Sequence, residues 1–258
     1  MEMYDNPDTV KRSFDKNYTS ESLLQAQWAE FVELKKVITE ISDRKAAPVS
    51  ILDIGIGSAR IPIHLCGVKE IWDRIALYDG TDNAQACVNL SQENIAARGI
   101  ADKVHAYLFD AVNLRQWQKR YDMVITTWFT AGNFYPAGFP FDTYKDSGQR
   151  LDLSFNEKFD KVFSAAFDLL EPGGEIVIGA CYLDNDSTRL KQEESYKKMG
   201  MKIITDAEDS FTATEERFWS QRFTKEKLYR YLHFAAPEKI IITPLDTYDY
   251  AMQVRIQK

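Results

Sequence analysis

The segment Ile51-Leu52-Asp53-Ile54-Gly55-Ile56-Gly57-Ser58-Ala59-Arg60 is a short apolar run that leads into a glycine-rich stretch. This order of residue types predicts a buried β-strand, a tight turn and the start of a helix. Open α/β sheets bind nucleotide-like ligands at a turn of this kind, at the carboxyl edge of the strands. The segment therefore predicts an α/β fold with a ligand site at its glycines.

Three kinds of ligand fit such a turn, and the flanking residues separate them. A P-loop requires Gly-Lys-Ser/Thr after the turn, and that sequence does not follow here. In a dinucleotide fingerprint the third glycine would fall at Arg60, where an arginine fits poorly between helix and strand. The carboxylate of Asp53 would repel a phosphate but attract an amine or a sulfonium. The pattern favours a cationic ligand.

These residues resemble motif I of the class I (Rossmann-like) S-adenosylmethionine (AdoMet)-dependent methyltransferases, in which Leu-Asp precedes Gly-x-Gly-x-Gly. Ala59 stands at the third glycine of that motif. The resemblance implies that AdoMet is the cofactor, that Asp53, Gly55 and Gly57 flank its methionine part, and that Ser58 is also a cofactor-binding residue. Glycine lets the backbone approach a ligand closely because it has no Cβ atom. Taken alone, the segment also fits an ordinary tight turn.

A second segment strengthens the resemblance. Leu169-Leu170-Glu171-Pro172-Gly173-Gly174 precedes an apolar run, as in many class I methyltransferases. The two motifs, with acid-ended strands between them in order, agree with one another. The resemblance extends from residue 49 to the C-terminus, outside one loop and one insertion. It implies an α/β fold with a doubly wound, seven-stranded, mostly parallel sheet and one reversed strand, a helical N-terminal segment and lid insertions.

Two acids compete for the ribose of the implied cofactor. The apolar run 74–78 predicts the second strand, which would end at Asp79, and a carboxylate there can accept hydrogen bonds from both ribose hydroxyls. Gly80-Thr81-Asp82 matches the Gly-hydrophobic-Asp sequence of many relatives, although Asp82 also suits the N-cap of the following helix. We favour Asp79 and keep Asp82 as the alternative.

Two further strand ends complete the implied site. Asp110 and Ala111 follow the third strand, where the family binds adenine, and Thr127 and Trp128 follow the fourth. The segment 129–136 then leaves the central strand, where the transferable methyl group is expected. Asn133 and Tyr135 are weak catalytic candidates, because the segment lacks the Asn/Asp-Pro-Pro-Tyr/Phe motif of amine methyltransferases. No histidine occupies a position that identifies it as a general base.

The loop 137–153 is longer than a simple connection needs. It carries three aromatic residues, Phe139, Phe141 and Tyr144, beside Asp142 and Asp146. Long loops at this edge of a sheet often bind substrate. Aromatic faces beside carboxylates favour an aromatic or cationic small molecule, whereas the alternative is that the aromatic side chains only anchor the loop.

The chain is predicted to form one methyltransferase domain over 1–258. Residues 1–47 form a helical N-terminal cap, with Ser20 as an N-cap and with Tyr18 and Trp28 either packed or touching ligand. Residues 48–183 form the AdoMet-binding core, and 184–223 form a hairpin or lid insertion. Residues 224–258 form the last helix and an antiparallel strand pair joined by a turn around Asp246.

Composition excludes several classes of protein. The net charge of −7 disfavours a broad nucleic-acid surface, and no apolar run approaches the roughly 20 residues that span a bilayer. The N-terminal residues lack the apolar core of a signal peptide. The three cysteines are far apart, so they indicate neither disulfides nor a metal site. We expect a cytoplasmic protein without metal or membrane contact, and its oligomeric state stays open.

The sequence therefore predicts an AdoMet-dependent methyltransferase that acts on a small molecule. Two alternatives remain at this stage. A protein methyltransferase would present an open groove, and a non-catalytic AdoMet-binding module would bind the cofactor without turnover. The cofactor brings an activated methyl group, so the enzyme mainly has to align the acceptor.

Overall fold

The computed structural model describes residues 4, 10, 13, 14, 21–148, 150–245 and 250–258, with Ser22 described by its backbone only. The predicted N-cap at Ser20, the ligand contact of Tyr18 and the turn around Asp246 lie outside the described residues. Trp28 is described, and its side chain is 61% exposed. It therefore neither packs in the core nor lines the cavity described below, contrary to both expectations.

The elements alternate between strand and helix through the core of the chain. The α-helices are α1 (Glu21–Lys45), α2 (Arg60–Cys66), α3 (Lys69–Trp72), α4 (Gln85–Arg98), α5 (Tyr144–Ser147), α6 (Glu157–Asp168), α7 (Asp186–Lys198) and α8 (Lys225–Tyr231). The strands are β1 (Val49–Ile54), β2 (Ile75–Asp82), β3 (Val104–Leu108), β4 (Tyr121–Thr126), β5 (Leu170–Leu183), β6 (Phe211–Ala213), β7 (Trp219–Phe223), β8 (Ile240–Pro244) and β9 (Ala251–Gln257). Short 3₁₀ helices cover Ala111–Gln116, Thr130–Asn133 and Pro237–Lys239.

The strands form one nine-stranded sheet in the order β3-β2-β1-β4-β5-β7-β6, and β9 pairs with both β5 and β8. Strands β1 to β5 are parallel, and β9 runs antiparallel to β5. The predicted mostly parallel α/β sheet is confirmed. The predicted count of seven was too low because the insertion adds β6 and β7.

Helices cover both faces of the sheet because successive strand residues point to opposite sides. Leu52 and Val124 belong to a core cluster with Phe159 of α6, whereas Ile51 belongs to a second cluster with Leu34 of α1. Such continuous apolar strands are typical of a parallel sheet that is buried on both faces. The sheet therefore presents only its edges and strand ends to ligands.

The insertion lies beyond the carboxyl end of β4. Strand β5 pairs with β4 up to Ile178 but continues to Leu183, and β7 pairs with Tyr182 and Leu183 beyond the end of β4. Since β9 already occupies the other edge of β5, β7 lies on the edge that β4 leaves free. The β6–β7 hairpin, with the turn before Trp219, is called the lid hairpin below.

The long loop 137–153 is packed, not open to a ligand. Phe139, Phe141 and Tyr144 are buried in a cluster with Phe211 and Trp219 of the lid hairpin. The carboxylate of Asp142 pairs with Arg217 Nη2 at 2.8 Å. The prediction that these aromatic and acidic residues bind substrate was wrong, and the anchoring alternative describes them.

The end of β2 also differs from the sequence-based expectation. Strand β2 runs three residues past Asp79 and ends at Asp82. Helix α6 is capped by Asn156, whose side chain accepts a hydrogen bond from Phe159 N.

We predict that Gly132→Ala loosens the lid hairpin from the core. A Cβ atom at Gly132 would lie 2.8 Å from the backbone oxygen of Gln221, and backbone atoms cannot rotate away. Overpacking of this kind costs about 1–3 kcal/mol, which lowers Tm by roughly 2–4 °C per kcal/mol. Thermal unfolding followed by circular dichroism measures the change. The control is Gly67→Ala, where φ is −73° and the nearest atom is 3.3 Å away; an equal loss in both variants would contradict the explanation.

Candidate functional site

A cavity of about 410 Å³ opens at the carboxyl ends of the central strands. Tyr4 and Phe14 of the N-terminal segment form one wall, the strand ends form the floor, and 217–219 of the lid hairpin form another wall. The predicted site residues that line it are Gly55, Gly57, Ser58, Asp82, Asp110, Ala111, Thr127, Trp128, Asn133 and Tyr135. Asp53 and Asp79 are not among the lining residues.

The glycine turn needs its glycines for conformation and for space. Gly55 and Gly57 have φ values of +83° and +57°, a region that residues with a Cβ atom adopt only with strain. Gly55 N and Ile56 N both donate to the carbonyl oxygen of Thr81, at 2.8 and 3.0 Å. These bonds tie the turn to the end of β2. A Cβ atom on Gly57 would lie 2.8 Å from Phe14 Cζ, so the N-terminal segment lies directly over the turn.

Asp82 lies at the end of β2 and faces the cavity. Its Oδ2 atom accepts a hydrogen bond from Gly57 N at 3.1 Å, and Oδ1 accepts one from Ala84 N at 3.0 Å. Burial raises the pKa of this carboxyl group, and the backbone N–H groups oppose that rise. The acid is therefore held in a fixed orientation between the glycine turn and the start of α4.

Asp79 occupies the opposite face of β2 because it lies three positions before Asp82, and strand residues an odd number of positions apart point to opposite faces. The carboxylate is fully buried and accepts hydrogen bonds from Lys119 Nζ at 2.8 Å and Tyr121 Oη at 2.6 Å. His105 Nδ1 lies 3.3 Å away. Asp79 thus neither ends its strand nor lines the cavity, and the preference for it as the ribose acid rested on a strand end placed three residues too early.

Asp53 is buried behind the glycine turn with one unsatisfied oxygen. Tyr78 Oη donates to Oδ2 at 2.6 Å, whereas Oδ1 has no hydrogen-bond partner among the described residues. Burial raises the pKa of Asp53 to about 7, although the Tyr78 hydrogen bond and Arg60 oppose the rise. The carboxylate can therefore gain or lose its proton near neutral pH.

The third strand supplies the other acid of the cavity. Asp110 follows β3, and its Oδ1 atom accepts a hydrogen bond from Val112 N at 3.1 Å at the start of a 3₁₀ helix. Ala111 is 8% exposed, and Phe109 lines the cavity on the same side. The acid, the small residue and the aromatic ring are thus grouped at one end of the cavity.

The chain leaves β4 in a strained conformation. Trp128 and Phe129 have φ values of +54° and +61°, which non-glycine residues adopt only when their surroundings enforce it. The fully buried Glu30 of α1 does so, since its Oε1 atom accepts a hydrogen bond from Trp128 N at 2.8 Å. Glu30 Oε2 also accepts one from Arg60 Nη2 at 2.9 Å, and the Arg60 guanidinium lies 5.6 Å from the Trp128 ring centroid. One carboxylate therefore joins α1, α2 and the loop after β4.

Sequence reasoning missed Glu30 and its partner Arg60. The position of Glu30 in its helix could have identified it. Glu30 lies four residues from both Ala26 and Leu34, which places it on the buried face of α1. A Cβ atom on Gly179 of β5 would lie 2.5 Å from Glu30 Oε1, so this glycine makes room for the carboxylate. Burial raises the pKa of Glu30, and Arg60 and the Trp128 N–H oppose the rise.

The weak catalytic candidates both reach the cavity. Asn133 Oδ1 is buried and has no hydrogen-bond partner among the described residues. The Tyr135 ring lies 4.7 Å from Lys158 Nζ and 6.4 Å from the Trp219 ring centroid. Lys158 and 217–219 were not predicted to line the site, since they come from α6 and the insertion, far away in sequence.

Metal ligands do not cluster in the part of the chain that the structure describes, where no group of three or more His, Cys, Asp or Glu residues could hold an ion. Among the helices of those residues, none combines the length and the apolar character needed to cross a bilayer.

Comparison with known proteins supports the fold. No family model and no curated protein matches the chain. The CcbJ methyltransferase from Streptomyces caelestis matches with a TM-score of 0.60 and 14% identity over 99% of this chain and 98% of that one. Magnesium protoporphyrin IX methyltransferase from Synechocystis PCC 6803, solved with bound SAH, matches with a TM-score of 0.57 and 13% identity over 99% and 96%.

A third match is longer than this chain. An O-methyltransferase family protein from Burkholderia thailandensis matches 88% of this chain with a TM-score of 0.54 and 12% identity, and the alignment covers 55% of that protein. Identities this low show a shared fold alone. The chain has the Rossmann-like fold of AdoMet-dependent methyltransferases, which confirms the fold predicted from the two motifs.

We predict that Asp53→Asn changes the pH dependence of stability. With a pKa of about 7, Asp53 holds a proton in the folded protein that it loses near pH 4 in the unfolded chain. Stability therefore falls as pH rises from about 4 to 7, and this contribution is constant above that range. The variant lacks this ionisable group. We therefore expect its free energy of unfolding to match that of the wild type near pH 4 and to exceed it by on the order of 3 kcal/mol at pH 8.

Urea unfolding at a series of pH values measures this difference. The control is Asp102→Asn, at an exposed position after α4, which should show no difference that grows with pH. A constant offset between Asp53→Asn and the wild type across the range would mean that Asp53 ionises normally.

Proposed function

We propose that the protein is an AdoMet-dependent methyltransferase that acts on a small molecule. The observation that carries the proposal is the grouping of Asp82 and Asp110, from successive strand ends, with the glycine turn around one cavity. A nucleoside ligand needs this combination, because carboxylates accept from ribose hydroxyls and from an exocyclic amine while glycines admit the rest of the ligand.

The residues present fit the cofactor. The unsatisfied Asp53 Oδ1 is a buried acceptor behind the glycine turn, and a carboxylate in that position favours a ligand with an amine or sulfonium charge. Gly55, Gly57 and Ser58 would hold the methionine part, with Asp53 behind them. The adenine would lie between Asp110 and Ala111, and Thr127 and Trp128 would lie beside the methyl-bearing end.

We assign the ribose to Asp82 in place of Asp79. Asp82 lines the cavity and keeps its orientation through two backbone N–H groups. Asp79 is fully buried and already satisfied by Lys119 and Tyr121 on the other face of the strand. A ligand could reach Asp79 only by breaking those hydrogen bonds. Each buried group left unsatisfied in this way costs about 1–3 kcal/mol.

We predict that Asp82→Asn weakens the binding of both AdoMet and S-adenosylhomocysteine by roughly tenfold or more, because charge-assisted hydrogen bonds contribute about 1.5–3 kcal/mol each. Asp79→Asn is the matched control, on the same strand but the opposite face, and should bind both ligands as the wild type does. Isothermal titration calorimetry gives the dissociation constants. Loss of binding in Asp79→Asn alone, with circular dichroism unchanged, would reverse the assignment.

The cofactor supplies a methyl group that is already activated, so the chain has to bind, orient and shield the acceptor. Residues of the loop after β4, of the N-terminal segment and of the lid hairpin line the site and would supply this shielding. Asn133 Oδ1 is the one acceptor among the weak candidates that is buried without a partner, and it can orient an acceptor N–H or O–H group. Tyr135 lines the same wall.

The size of the cavity favours a small-molecule acceptor over a protein. It measures about 410 Å³ and is lined by residues from several segments, among them Phe14, Trp128 and Phe218, and a cavity of this size is typical of small-molecule sites. The non-catalytic alternative has no observation in its favour, since the cavity extends past the cofactor residues to Asn133 and Tyr135. A cytoplasmic location stays a prediction.

We predict that Asn133→Ala lowers kcat for methyl transfer by about tenfold to a hundredfold, because an acceptor that is no longer oriented reacts more slowly. Binding of S-adenosylhomocysteine should stay unchanged in the same variant. Transfer of labelled methyl from AdoMet to separated metabolite, protein and RNA pools measures the activity. Asn113→Ala, at an exposed position outside the cavity, is the control. Label in the protein pool alone would contradict the small-molecule proposal.

A further inference from the structure

Charge is unevenly distributed around the cavity. Its two carboxylates, Asp82 and Asp110, both lie at the strand ends assigned above to the nucleoside. The other end is lined by 133–135, Lys158 and 217–219, and we call this part the acceptor end. Among the described residues, the charged side chains that line the acceptor end are Lys158 and Arg217, and the Asp142 carboxylate that pairs with Arg217 does not line the cavity.

The two cations line the same part of the cavity as a group of aromatic side chains. The Lys158 ammonium group lies 4.7 Å from the Tyr135 ring centroid. The Tyr135 and Trp219 ring centroids are 6.4 Å apart, and Arg217 precedes Trp219 by two residues in the lid hairpin. A ligand that lies along these aromatic side chains therefore meets a positive charge from α6 and another from the lid.

Both cations occupy positions that the local structure does not favour. Lys158 lies in the first turn of α6, where a positive charge opposes the helix dipole, and it forms no ion pair with any described residue. Arg217 has a φ of +64°, and its ion-pair partner Asp142 is itself 76% exposed. Residues at positions that helix electrostatics or backbone conformation disfavours are often functional.

A locally positive site stands out in this protein because the chain as a whole has a net charge of −7. Positive side chains that line a cavity attract an anionic ligand and repel a cationic one. The Trp219 indole N–H adds an unsatisfied donor, since Trp219 is 2% exposed and its Nε1 atom has no partner among the described residues.

We propose that the methyl acceptor is an aromatic acid whose anionic group is bound by Lys158 and Arg217. Its ring would pack against Tyr135, Phe218 and Trp219, and its reacting atom would point toward Asn133. The proposal rests on the proposed function, because it names the acceptor of that same site. It replaces the expectation of a cationic acceptor, whose basis was removed when Asp142 and Asp146 were found outside the cavity.

A matched set of probes tests the charge of the ligand. The protein, loaded with S-adenosylhomocysteine, is titrated with 4-hydroxybenzoate, phenyl phosphate, 4-hydroxybenzamide and 4-hydroxybenzylamine, and binding is followed by ligand-observed NMR. We expect both anions to bind about tenfold or more tightly than the amine, since a charge-assisted pair is worth about a factor of ten. The ratio between the two anions then separates a carboxylate from a phosphate. Equal or tighter binding of the amine overturns the proposal.

Three variants locate the effect. Lys158→Gln and Arg217→Gln should each remove most of the preference for the anions and leave binding of S-adenosylhomocysteine unchanged. Lys161→Gln is the control, since Lys161 is one turn from the proposed contact but exposed outside the cavity. A preference that survives in both Lys158→Gln and Arg217→Gln, or that is lost equally in Lys161→Gln, overturns the assignment of these two residues.

Turnover gives an independent readout. A metabolite extract is divided by ion exchange into anionic, neutral and cationic fractions, and each is incubated with the protein and labelled AdoMet. Label is expected in the anionic fraction, with a rate reduced about tenfold or more in Lys158→Gln. Label only in the neutral or cationic fraction overturns the proposal of an anionic acceptor but agrees with the proposed methyltransferase activity. Failure of AdoMet and S-adenosylhomocysteine to bind at all would instead overturn the proposed function.

Discussion

The carboxylate of Glu30 is the constraint on which the geometry of the site depends. A buried charge without partners is costly, so the surrounding chain has to supply an N–H group and a cation. Trp128 and Arg60 do so, and in doing so they fix the loop after β4 and the start of α2 relative to α1. The strained backbone of Trp128 persists because this hydrogen bond holds it. Gly179 must lack a side chain for the same reason.

The sequence predicted those features that depend on local residue order. The glycine turn after β1 was placed correctly because φ values like that of Gly55 are restricted to few residue types. The strand ends were harder, because the apolar run that marks β2 stops before the strand does. That error of three residues exchanged Asp79 for Asp82, since residues an odd number apart point to opposite faces of a sheet. A small error in length thus became an error in which acid faces the cavity.

Features that depend on contacts between distant segments could not be predicted. The aromatic residues of the long loop looked suited to a ligand, but Phe139 packs against Trp219, which only the insertion brings near. Lys158 and Arg217 are also far apart in the sequence, and no periodicity marks them as neighbours of one cavity. Glu30 was also missed, although an acid on the apolar face of a helix is visible in the sequence and requires a buried partner.

The two halves of the cavity follow different physical rules. Around Asp82 and Asp110 the backbone itself fixes each carboxylate through N–H groups at strand ends, so the fold supplies this half whatever the acceptor is. The other half is built from side chains of α6 and the lid hairpin, which the shared sheet does not specify. If an activated methyl group is provided by the cofactor, alignment is the main remaining task. In the proposal made above, selection of the acceptor then depends on Lys158, Arg217 and the aromatic residues that line the same part of the cavity.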